Sequence, residues 1–234
     1  MDSQSVPSPA STPTGLPPAS IALGPSSDAP PPVTLKSLLP ASIYNLRTEA
    51  NLGVIEPWFF RSLPVPGDIV EFGCFRGTMS LKFAWALREL GLADRKTVHA
   101  FDTFEGFQIN DPGGGALGIG AYSDNDNAFE HLTAWSHVLP IRPIKGDATQ
   151  TWRQLTRPLS FVWLDLDMEV LMAPVFEGIM PLIQPDTIVG IDDVGRPETP
   201  TVKPWVEPLI EQGRLVQLAE DPGAFIRFFR VNKG

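Results

Sequence analysis

From residue 68 onward, short runs of consecutive apolar residues alternate with stretches in which apolar positions recur every three or four residues. The runs 69–72, 97–101, 141–144, 160–164 and 187–191 are short and rich in β-branched and aromatic residues, which predicts strands. Helical spacing covers 78–90, 125–135, a short piece near 149–155, then 170–183 and 202–211. Two closing runs, 215–218 and 225–231, flank Asp221-Pro222-Gly223 and predict an antiparallel hairpin. Strands that alternate with helices need crossover connections. The pattern therefore predicts an α/β fold, doubly wound, with a mostly parallel seven-stranded sheet and an antiparallel C-terminal hairpin.

Ahead of this alternation, Ile43, Leu46, Ala50, Val54, Ile55, Trp58 and Phe59 have amphipathic helical spacing. They predict a helical lead-in over 34–66, broken near Gly53 and Pro57 and ended by Pro64 and Pro66. Residues 1–33 are dominated by Pro, Ser, Ala and Thr and carry no Lys or Arg. Such a segment buries too little apolar surface to offset its conformational entropy, so it is expected to be a disordered tail. The domain proper is then 67–234.

Composition narrows the classes of partner. A formal net charge of -9 disfavours a sequence-independent grip on nucleic acid or an anionic membrane, which requires clustered cations. The expected partner is a small molecule, with a homo-oligomer left open. Cys74 is the sole cysteine, which excludes an intramolecular disulfide and a thiolate metal site. The start of the chain has neither a basic nor an apolar leader pattern, and no apolar run reaches spanning length, so a cytoplasmic protein is expected.

The first predicted strand ends Val70-Glu71-Phe72-Gly73-Cys74-Phe75-Arg76-Gly77 and opens straight into a helix. Glycine in a strand-turn-helix lets backbone approach a ligand closely. A dinucleotide fingerprint would need a glycine where Phe75 stands, and Glu71 suits a cationic ligand better than a pyrophosphate. The pattern E/D-x-G-x-x-x-G is that of an S-adenosylmethionine loop, with Glu71 receiving the amino group directly or through water.

Asp102 ends the second strand, where a carboxylate can accept from a ribose diol, and Asp147-Ala148 follows the third, beside an adenine. The alternative for each acid is a helix N-cap. The full candidate cofactor set is Glu71, Gly73, Phe75, Gly77, Ser80, Asp102, Thr103, Phe104, Asp147, Ala148 and Asp165.

The fourth and fifth strands end in Asp165-Leu166-Asp167 and Ile191-Asp192-Asp193. Neighbouring strand ends crowded with carboxylates require protons or a cation. Oxygen donors suit Mg²⁺, with Ca²⁺ and Mn²⁺ as alternatives, and helix caps are the other reading.

Over 67–195 the chain resembles the macrocin O-methyltransferase family, in the block 71–77, in Phe101-Asp102-Thr103-Phe104-Glu105-Gly106-Phe107, in Asp165-Leu166-Asp167 and in Ile191-Asp192-Asp193-Val194-Gly195. The resemblance implies a seven-stranded class I methyltransferase fold and transfer of a methyl group to a sugar hydroxyl of a natural product. It also implies metal ligands Asp165, Asp192 and Asp193, with Asp167 as base. The chain departs from the family at Met168-Glu169-Val170 and at Val194, where an aromatic is usual. A metal-independent N- or carboxyl-methyltransferase and a non-catalytic cofactor-binding scaffold are the competing functions.

The glycine-rich stretch 108–122 lacks periodicity and is expected to be a lid over the acceptor. His131 and His137, on or just after the next helix, are further candidate bases.

Overall fold

The computed structural model describes residues 34–35, 49–123 and 126–233. The expected tail, 1–33, and the first part of the lead-in fall outside these residues. Seven strands form one sheet in the order β3-β2-β1-β4-β5-β7-β6. They are β1 (Asp68–Phe72), β2 (Val98–Asp102), β3 (Ile141–Lys145), β4 (Leu159–Leu164), β5 (Ile183–Ile191), β6 (Leu215–Asp221) and β7 (Ile226–Val231). The first five pair in parallel, and β7 runs antiparallel to both β5 and β6. This is the doubly wound sheet with a C-terminal hairpin that the alternation predicts.

Successive strand residues point to opposite faces, so each buried strand feeds two cores. Ile69, Val98, Ala100, Phe161, Trp163 and Phe228 pack with α1 (Glu49–Ser62), α2 (Thr78–Glu89) and α3 (Ala128–Trp135). Their neighbours Val70, Phe72, Phe101, Val162 and Leu164 pack with α4 (Ala148–Thr151), α5 (Glu169–Ile179) and α6 (Val202–Glu211) on the other face.

Two helices differ from the sequence expectation. Helix α1 runs unbroken through Pro57, although proline removes the hydrogen bond to the carbonyl four residues back. Burial of Leu52, Ile55 and Phe59, with Phe59 stacked on Phe83 at 4.5 Å, outweighs that loss. Helix α3 starts at Ala128 rather than at residue 125, because Asp126 and Asn127 adopt left-handed backbone (φ 49° and 58°). Residue 125 itself lies outside the described residues.

Candidate active site

All five parallel strands direct their C-terminal ends to one edge, and the order reverses between β1 and β4, which opens a crevice there. A cavity of about 300 Å³ occupies it. Its wall includes Gly73, Phe75, Asp102, Thr103, Gly146, Asp147 and Ala148 from the ends of β1 to β3, and Asp165, Asp167, Asp192 and Asp193 from the ends of β4 and β5.

The loop after β1 is held by its neighbours. Gly73 has φ 85°, and a Cβ there would lie 1.8 Å from the Asp165 carbonyl oxygen, so only glycine fits. The Phe75 and Phe104 amides each donate to a different oxygen of Asp102, both at 2.7 Å. Asp102 thus ties the loop after β1 to the loop after β2. Burial pushes its carboxyl above the ordinary range, and these two amides pull the other way. Asp147 caps α4, accepting from the Thr149 amide and hydroxyl at 2.8 Å each. The cap reading holds for Asp147, and the residue also borders the cavity.

Several expected cofactor residues stand behind the wall instead. Glu71 is 2% exposed and accepts a hydrogen bond from the Ser80 hydroxyl beneath the loop. Gly77, in left-handed backbone at the start of α2, presses on Leu132. Phe104 is buried against Phe129. These four residues support the site and are not part of the cavity lining. Burial also pushes the Cys74 thiol well up, which keeps it unreactive.

The acids on the other side gather closely. One carboxylate oxygen from each of Asp165, Asp167 and Asp193 lies within 4.8 Å of the others. The implied metal set is Asp165, Asp192 and Asp193; Asp192 also lines the cavity, and the close group has Asp167 beside Asp165 and Asp193. Asp192 continues the ladder, its amide donating to Leu164 at 3.0 Å, while Asp193 turns back through left-handed backbone (φ 61°). Asp167 reaches the group the same way (φ 60°), because β4 has ended at Leu164.

Burial first, then a hydrogen bond to Asp193 and the charges of Asp165, Asp193 and Asp192, hold the Asp167 carboxyl well above its usual range. Arg196 donates to Asp193 at 3.0 Å, and that carboxylate raises its guanidinium further. An oxygen-only donor set with excess negative charge fits a hard divalent cation.

The two histidines are not brought to this place. His131 and His137 are exposed and absent from the cavity wall.

Among the wall residues that sequence reasoning did not single out are Arg196 and Tyr122. Arg196 lies three positions past Asp193, and a cation that close to paired aspartates was a readable signal. Tyr122 is the one aromatic residue in the stretch 108–122. It makes edge contacts with Phe75 at 5.5 Å and Phe107 at 5.9 Å. Burial, then Asp167, Asp165 and Asp193, pushes its hydroxyl up to about 12.

The expected lid is tied down at several points. Phe107 donates to Ala121 and Gly120 donates to Phe107, both at 2.9 Å, closing the base of the loop. Ala116 donates to Glu198 at 3.3 Å, which joins the loop to the segment carrying Arg196.

A sequence-family profile described as a methyltransferase domain matches residues 70–194. Among solved structures, CalS11, a calicheamicin methyltransferase, is similar at 20% identity over 78% of this chain and 80% of that one, with a TM-score of 0.66. The O-methyltransferase NovP is similar at 18% identity over 81% and 84%, with a TM-score of 0.63. The methyltransferase PaMTH1 of Podospora anserina, solved with S-adenosylhomocysteine (SAH), is similar at 16% identity over 80% of each chain, with a TM-score of 0.54. A comparison with curated proteins finds no match.

Proposed function

Because the chain belongs to the methyltransferase domain family and is an S-adenosylmethionine-dependent enzyme, we propose that it methylates a hydroxyl of a small molecule, a sugar or glycosylated natural product, with help from a divalent cation. The observation that carries this reading is the group Asp165, Asp167 and Asp193, set in the same cavity as the Gly73 loop. Membership of the macrocin O-methyltransferase branch is part of the proposal. Its supports are the 102–107 block and the likeness to NovP and to CalS11, the latter described as a TDP-rhamnose 3'-O-methyltransferase.

In this reading Asp102, Thr103 and the 146–148 backbone seat the nucleoside of the donor. An alcohol is a weak nucleophile and needs both orientation and a proton acceptor. Its oxygen forms a bond to the methyl carbon while the carbon–sulfur bond breaks, and that electron pair stays on sulfur to give SAH. Asp165 and Asp193 would hold the cation, which when bound supplies electrostatic stabilisation of developing alkoxide charge. Asp167, whose proton affinity is already raised, takes the hydroxyl proton.

The test is methyl transfer from labelled donor to a panel containing TDP-rhamnose, methyl rhamnoside, catechol, an amine and a carboxylate, with Mg²⁺ or with chelator. Turnover of a hydroxyl that stops in chelator and returns with Mg²⁺ is expected. Full turnover in excess chelator removes the cation, and methylation of the amine or carboxylate alone removes the O-methyltransferase assignment.

A further inference from the structure

The cavity has a third wall that neither the cofactor loop nor the acid group accounts for. It is made by Phe107 and Tyr122, with Gln108 and Ile109 alongside, and it meets the cofactor loop at Phe75. Tyr122 stands where the returning end of the glycine-rich loop meets the cavity. Tyr122 lines the same cavity as Asp165, Asp167, Asp193 and Arg196, and the charges of those four residues act on its hydroxyl.

Its backbone is held at φ 60°, a conformation that disfavours a bulky side chain by about 1 kcal/mol. Such strain persists only where the surroundings over-determine it. Here they do. Phe107 and Ala121 are hydrogen-bonded at the loop base, Ala121 donates to Gly118 at 2.9 Å, and Ser123 donates to Gly120 at 3.2 Å. Edge contacts from Phe75 and Phe107, at interplanar angles of 65° and 67°, fix the ring plane. A tyrosine serving only as packing would be covered, yet Tyr122 remains 39% exposed.

We infer that Tyr122 is the acceptor-binding residue of this cavity, its ring seating the apolar face of a hydroxylated six-membered ring and its hydroxyl hydrogen-bonding an oxygen of that ring beside the acid group. The inference rests on the methyl-transfer reading and adds the acceptor's shape to it. A cyclic polyol or phenol has one weakly polar face and a rim of hydroxyls. An aromatic platform meets the face, and the carboxylates, Arg196 and the phenol meet the rim. An acyclic diol offers the same hydroxyls without the face, so it gains nothing from the platform.

The experiment compares wild type, Y122F and Y122A in the full chain. SAH affinity is measured by calorimetry, and binding of TDP-rhamnose, methyl rhamnoside, catechol and propane-1,2-diol to the SAH-loaded protein is measured in parallel. At least one ring probe is expected to bind wild type better than the acyclic diol. Y122F is expected to weaken that ring probe a few-fold, as for one lost hydrogen bond, and Y122A about tenfold or more, with SAH affinity within about twofold throughout. In turnover, the loss is expected in KM more than in kcat.

Equal ring-probe affinity in Y122A overturns the inference. So does a loss of SAH affinity as large as the loss of ring-probe affinity, or a wild type that prefers none of the ring probes. Failure of the underlying reading looks different: wild type that binds no SAH and transfers no methyl group.

Discussion

At the ends of β1, β2 and β3, donors stand ready for the acids: Ser80 for Glu71, two loop amides for Asp102, and Thr149 for Asp147. At the ends of β4 and β5 carboxylates face one another, and Asp167 and Asp193 share a hydrogen bond. Both halves belong to one cavity and both are acidic. In the first, negative charge is used to hold backbone in place before any ligand arrives. In the second the carboxylates crowd one another, an arrangement that costs stability unless protons or a cation balance it.

The comparison breaks most visibly at Asp167. Asp167→Asn is expected to lower kcat about 100-fold or more while SAH affinity, by calorimetry, changes less than about threefold. The same variant should melt higher than wild type in cation-free buffer at pH 7. A carboxyl whose folded pKa is raised binds its proton more tightly in the folded state, so it destabilises the fold increasingly as pH rises from its unfolded value of 3.8 through the folded one. The melting difference should shrink toward zero near pH 4. A variant that is less stable than wild type at pH 7 would mean that the crowding described for this half is absent.

Asp102→Ala probes the other half and should fail in the opposite sense. It leaves the Phe75 and Phe104 amides without their acceptor, so both stability and SAH affinity fall, the latter about tenfold to 100-fold. Intact affinity in a folded Asp102→Ala protein would separate the loop tie from cofactor binding. At the small end, His131→Ala and His137→Ala should each leave kcat/KM within about twofold, since both side chains lie outside the cavity.

What could be read along the chain follows the same division. Glu71, the glycines at 73 and 77 and Asp102 act through backbone within a strand-turn-helix, and local spacing reports such geometry directly. The sheet was equally legible, because period-two burial on both faces leaves continuous apolar runs. The acid half was legible only as a composition. Which aspartates meet depends on left-handed backbone at Asp167 and Asp193, which aspartate tolerates but which its presence marks only weakly. Tyr122 and Arg196 arrive from loops whose paths are set by hydrogen bonds between distant segments, such as Ala116 to Glu198. The unbroken α1 likewise reflects tertiary burial overriding a local breaker at Pro57.

The two halves nevertheless meet where β1 and β4 end side by side. The Asp165 carbonyl oxygen occupies the space that a side chain on Gly73 would need, and the Asp165 amide donates to Phe72 at 3.0 Å. Position 73 is therefore closed to mutational drift for a reason that belongs to neither half alone. Any side chain there would have to displace the Asp165 carbonyl, so one hydrogen atom in place of a Cβ sets how closely the nucleoside half and the acid half can stand.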